Sequence, residues 1–122
     1  MEFKFPKDFW WGSAASGPQT EGVYEGDNKG ESIWDYWYEK EPEKFFNQVG
    51  PDTASAFYQK YKEDIQLMKQ TGHNSFRTSI QWSRLIPEGV GEVNQEAVNF
   101  YNAVIDELIE NDIEPFINLF HF

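Results

Sequence analysis

Two stretches of helical periodicity, each leading into a short apolar segment of strand character, constrain this chain more than any other feature. Across 53–71, Phe57, Tyr61, Ile65 and Met68 recur at three- and four-residue spacing, and Gly72 supplies a stop. Lys60, Lys62, Glu63 and Lys69 lie off that stripe and are expected to face water. Asn94 suits the cap of a second helix, one that buries Val98, Tyr101, Ile105, Leu108 and Ile109 and turns Asp106, Glu107 and Glu110 to solvent. The first helix leads into 75–80, where Phe76, Thr78 and Ile80 alternate with Ser75, Arg77 and Ser79. The second leads into 114–122, which reads as a buried strand with Pro115 at its start. With a further strand near the amino terminus, the order is strand, long loop, helix, strand, turn, helix, strand. Such alternation requires parallel strands joined by right-handed crossovers, an α/β architecture.

The amino-terminal strand lies within 9–22. Phe9, Trp10 and Trp11 suit a pleated, buried surface, and six small residues follow, Gly12 to Gly17. Gln19 and Glu21 come next, with Pro18 stiffening the turn before them. An amide and a carboxylate at the carboxyl end of a strand fit one stave of a site-bearing barrel; they also fit a strand that simply leaves a core into a turn. Residues 24–50 read as an irregular connection whose acids form a solvated face, anchored by an aromatic knot of Trp34, Tyr36, Trp37 and Tyr38.

Composition narrows the classes of function. Ten basic against twenty-one acidic residues give a net charge of −11, which argues against nucleic acid or an anionic membrane as partner. There is no cysteine, hence no disulfide frame or thiolate metal site, and His73 and His121 are too few and too distant in sequence to suggest a metal cluster. No cofactor is expected. No apolar run approaches the ~20 residues of a membrane span, and the start Met-Glu-Phe-Lys-Phe-Pro lacks the core of a secretory signal, so the cytoplasm is the expected location. The aromatic share of 18% suits sugar-stacking platforms, although rings fill cores more often.

Three segments carry a family resemblance. Phe9, Trp11-Gly12, the small residues to Gly17 and Gln19-x-Glu21-Gly22 resemble the amino-terminal signature of glycoside hydrolase family 1, and Ser-Gly-Pro-Gln-Thr-Glu-Gly resembles its 6-phospho-β-glucosidase branch. Phe76-Arg77-x-Ser79-x-x-Trp82-Ser83-Arg84 resembles a second family element, and His121-Phe122 matches the pair that the family's third strand delivers into the sugar site. The resemblance implies a partial (β/α)8 TIM barrel, strands 1–3 and helices 1–2 only, with residues 1–122 forming the amino-terminal part of a single glycosidase domain. It implies retaining hydrolysis of a phosphorylated β-linked disaccharide in carbohydrate catabolism. Gln19, His121 and Phe122 would bind the sugar. Arg77 would support the nucleophilic carboxylate from beneath, and Arg84 and Trp82 would be structural. From pattern alone, Arg77 fits either a barrel interior that demands carboxylate partners or an ordinary exposed strand face. A penultimate histidine such as His121 is in itself often incidental.

The family's two catalytic glutamates lie in Asn-Glu-Pro and Glu-Asn-Gly elements, and neither occurs among these 122 residues. Glu21 matches only a supporting position. A complete barrel needs about 250 residues. This chain is therefore expected to be inactive alone and to self-associate through exposed strand edges. The other reading is a non-catalytic, sugar-binding or self-associating module; β-glucosides and 6-phospho-β-galactosides remain alternative substrates.

Overall fold

The structure, a computed structural model, describes residues 2–122. Met1, the first residue of the stretch that lacks a secretory signal, lies outside the described residues. In chain order the elements are β1 (Gly12–Ala14), α1 (Gly17–Thr20), α2 (Ile33–Lys40), α3 (Phe57–Gln70), β2 (Ser75–Ser79), α4 (Trp82–Leu85), α5 (Gln95–Glu110) and β3 (Glu114–Asn118). The strands form one parallel sheet in the order β1-β2-β3. Helices α3 and α5 are its crossovers and pack on each other.

The period-two reading of 75–80 holds. Phe76 enters the core with Phe57, Ile65, Phe100, Val104, Leu108 and Ile113, while Arg77 takes the opposite face of the sheet in register with Ala14 and Phe116. Ile65 and Leu108 are fully buried, each contributing about 1.5–3 kcal/mol by its removal from water. Asn94 caps α5, its side chain accepting from the Glu96 N–H.

Several expectations fail for identifiable reasons. Helix α3 begins at Phe57 because Ala54 and Ala56 adopt left-handed backbone, which no helix can run through. The buried stripe of α5 is Ala97, Phe100, Tyr101, Val104 and Leu108; Val98 and Ile105 are only half-buried, and Ile109 is exposed. The apolar arc of that helix is wider than the part the sheet covers. Phe9, Trp10 and Trp11 precede the strand and stay largely exposed, packing instead in ring clusters with Phe5 and Phe116. The strand β3 ends at Asn118; Phe116 stays exposed although the Trp10 ring meets it edge-on, and Leu119 and Phe120 beyond the strand are exposed as well.

The connection 24–50 is less irregular than expected. A capping box starts α2 within it, with Asp35 N–H donating to Ser32 Oγ and Ser32 N–H donating to Asp35 Oδ2. The aromatic knot anchors only partly, for Trp34 and Tyr38 are half-buried whereas Tyr36 and Trp37 are exposed. Nor are its acids uniformly solvated. Asp27 is buried, and Asp35 pairs with the buried Lys29.

Candidate functional site

The carboxyl ends of the three strands point to one side, and the chain beyond each carries a residue of interest. After β1 the small residues let α1 tuck against β2: Gly17 N–H donates to Ser79 Oγ at 2.9 Å, and a Cβ at Gly17 would lie 2.8 Å from Gln81 Cβ. This places Gln19 on an exposed helical turn rather than on a strand. Beyond β3, His121 is half-buried with its ring against Phe122, whose edge in turn meets Trp34 at 6.0 Å.

Gln19, His121 and Phe122 line one open hollow of about 510 Å³, walled by Trp34 and Phe45 of the long connection and by Pro51. The size suits a sugar-sized ligand, and the mix of apolar rings with a few polar groups is the usual composition of such sites. Of its lining residues only His121 is ionisable to a cation; none is Lys or Arg. A second hollow of about 520 Å³ shares Trp34, His121 and Phe122 and adds Gln81, Trp82 and Glu88. Arg77 lines neither. It is half-buried within β2, and its Nη1 donates to the Ala15 carbonyl at 3.2 Å; among the described residues it has no carboxylate partner. The structure thus brings three of the four expected site residues together and sets Arg77 deeper in the sheet.

Beneath the turn lies a buried cluster of charged and polar side chains. Arg84, 0% exposed, donates from Nε to Glu21 at 2.7 Å, from Nη1 to Asp27 at 2.7 Å and from Nη2 to the Gly22 carbonyl. Its guanidinium lies over the Tyr58 ring, 4.3 Å from the centroid. Tyr101 donates its hydroxyl to Glu21 at 2.9 Å and accepts from the Gln81 N–H. Burial pushes the Glu21 carboxyl above its ordinary value, opposed by the charge and hydrogen bond of Arg84. At Asp27 burial acts the same way, but the Lys29 and Tyr24 N–H groups and Arg84 together outweigh it, leaving that carboxyl below its ordinary value. Burial and the neighbouring Glu21 raise the Tyr101 phenol, so it remains a donor. These contacts tie the segment after Gln19 to α4 through Arg84 and to α5 through Tyr101.

The match to a family model settles the relationship, for the model described as Glycosyl hydrolase family 1 spans residues 1–122. The chain belongs to glycosyl hydrolase family 1. Among its family 1 relatives, 6-phospho-beta-glucosidase GmuD of Bacillus subtilis is 66% identical over 121 residues, covering 99% of this chain and 26% of that protein. Beta-glucosidase 17 of Arabidopsis thaliana is 47% identical, over 97% of this chain and 23% of its own length. Of solved structures, aphid myrosinase superposes with a TM-score of 0.91 at 39% identity, over 98% of this chain and 26% of that one. The family 1 β-glucosidase of Thermotoga maritima gives 0.89 at 41%, over 97% and 26%. The chain therefore spans about a quarter of the length of the relatives it matches, and its sheet is a partial TIM-barrel fold.

Sequence reasoning missed Ser16, Phe45 and Asp27 as parts of this region. Ser16 was hidden in a run of small residues. Phe45 and Asp27 come from the long connection, where no periodicity says which side chains turn inward.

Proposed function

We propose that this chain supplies the sugar-binding front of a retaining β-glycosidase of the 6-phospho-β-glucosidase type. The observation that carries this is the shared hollow of Gln19, His121 and Phe122 beyond the carboxyl ends of parallel strands, where barrel enzymes place their chemistry. The amide and imidazole would hydrogen-bond ring hydroxyls, and Phe122 and Trp34 would stack on the apolar face of the sugar. Retaining hydrolysis needs two carboxylates about 5–5.5 Å apart, one protonating the leaving oxygen and one attacking the anomeric carbon. Arg77, on the inner face of the sheet, is suited to keep such an attacking carboxylate ionised by its positive charge.

The phosphorylated substrate class rests on the similarity to the Bacillus subtilis protein. The hollow, free of Lys and Arg, suits a neutral ring, so the phosphate would be gripped elsewhere. β-Glucosides and 6-phospho-β-galactosides are the competing substrates, since relatives so named are each 47% identical. A phosphorylated sugar does not cross membranes freely, and the reading goes with a cytoplasmic location; no helix among the described residues is long and apolar enough to span a membrane.

The test is turnover of p-nitrophenyl β-glucoside 6-phosphate. The 122-residue chain alone should show none, and mixing it with the remaining three quarters of a family 1 relative should restore it. Equal turnover of the unphosphorylated glucoside by the restored complex would overturn the phosphate assignment. Turnover by the chain alone would overturn the assignment of its role. A self-associating module is the second reading, favoured by the exposed Phe116 of the outer strand β3 and by Leu119 and Phe120 just beyond it.

A further inference from the structure

The second hollow, of about 520 Å³, is walled by segments that are held firmly together. Gly30 N–H donates to the Ser83 carbonyl at 2.7 Å, and a Cβ at Gly30 would lie 2.1 Å from the Pro87 carbonyl oxygen. The segment before α2 is therefore pressed onto the turn after α4, which Trp82 closes by donating from Nε1 to the Gly89 carbonyl at 3.0 Å. Four buried side-chain polar atoms among the described residues have no hydrogen-bond partner. Three of them belong to residues of this one wall: Trp34 Nε1, Gln81 Oε1 and Ser83 Oγ. Gln81 is itself only 4% exposed. A buried polar group without a partner is costly, and three along one wall point to an occupant that supplies the partners. The terminal amide torsion of glutamine and the serine hydroxyl both turn readily, so each can meet it.

Ile33, Ile80, Ile86 and Pro87 line the hollow with aliphatic surface, which receives peptide side chains better than the face of a sugar ring. Glu31 and Glu88 stand on its wall with no Lys or Arg, which disfavours a phosphorylated or acidic occupant. Phe120, His121 and Phe122 line it too. This chain matches the amino-terminal 26% of the Bacillus subtilis relative, where polypeptide runs on from the Phe122 position and so leaves directly into this space. We propose that the hollow is a docking groove for polypeptide. Its occupant is the stretch that follows the Phe122 position in longer family 1 chains, whether offered in trans or joined to this chain. A backbone alternates N–H donors with carbonyl acceptors, which answers the indole donor, the amide and the hydroxyl. Because Trp34 and Phe122 line both hollows, a docked stretch also steadies two rings of the neighbouring one. The docking stands whether or not the chain binds sugar.

The experiment follows the isotope-labelled, full 122-residue chain by NMR. The probe is a synthetic peptide of about twelve residues, about 40 Å long when extended. It is taken from just beyond the Phe122 match in the Bacillus subtilis relative, and a scrambled peptide of equal composition is the control. The peptide should shift the Trp34 indole N–H and the Gln81 side-chain amide, and the scrambled one should not. Joining the same stretch to Phe122 raises its local concentration to about the millimolar range and covers weak binding in trans. Gln81→Met and Ser83→Ala should each weaken peptide binding about three- to tenfold. Both should leave the urea midpoint of the peptide-free chain unchanged or higher, because each replaces an unpaired buried polar group with an apolar one. Loss of peptide-free stability in both variants would show that these groups serve the fold itself and overturn the proposal, as would unchanged peptide affinity in both. So would a joined stretch that shifts neither resonance beyond its scrambled counterpart. Shifts of Trp34 and Gln81 on raising the concentration of the chain alone would assign the hollow to a second copy. Shifts of Gln81 with methyl β-D-glucopyranoside but not with peptide would assign it to sugar, and either result overturns the docking.

Discussion

Arg84 holds three separate pieces of chain, and its replacement should be felt more widely than that of any site residue. Arg84→Met would leave Glu21, 2% exposed, and Asp27 buried without their counter-charge. Removing one partner of a buried pair typically costs about 3–5 kcal/mol, and urea unfolding at fixed protein concentration should show a loss of that order. Asp27 also gives a pH signature. Its folded pKa lies below its unfolded value, so its contribution is fully present above the unfolded pKa and is lost as pH falls through the folded one. Glu21 runs the other way: its raised pKa gives a contribution present below the unfolded value and lost as pH rises through the folded value. Asp27→Asn should therefore be less stable at neutral pH and lose less further stability than wild type below about pH 4, measured by unfolding across that range.

At the scale of elements, α5 separates pattern from packing. Leu108 and Ile109 are adjacent, and periodicity assigns both to the buried side. Only Leu108 meets the sheet; Ile109 is 59% exposed. Leu108→Ala should cost about 2–5 kcal/mol, whereas Ile109→Ala should change stability by no more than about 0.5 kcal/mol, compared by denaturant midpoints. The two crossover helices, the parallel order and the alternation of 75–80 were legible because periodicity and stop signals are local properties. The start of α3 was not. Left-handed backbone at Ala54 and Ala56 follows from tertiary placement, for alanine has no preference for that region. Helix α2 was obscured by aromatic and acidic composition, although Ser32 and Asp35 spell its capping box.

For the whole molecule, the outer edges of β1 and β3 and the exposed rings beside them are the surfaces through which copies of this chain are expected to associate. Sedimentation should show concentration-dependent association of the 122-residue chain. Phe116→Lys, placing a charge on the exposed face of β3, should shift it toward monomer; a concentration-independent monomer in wild type would contradict that expectation. The sequence by itself determined the α/β order, the crossover helices, the family and the identity of Gln19, His121 and Phe122 as site candidates, because these reside in local periodicity and contiguous motifs. Only the tertiary structure decided that those three side chains share one hollow while Arg77 lies deeper. It likewise decided that Asp27 is buried rather than solvated and that Ser16 grips the Gln19 amide. Each of these depends on contacts between segments remote in sequence or on the direction a turn takes, and neither is written in the spacing of residue types along a chain.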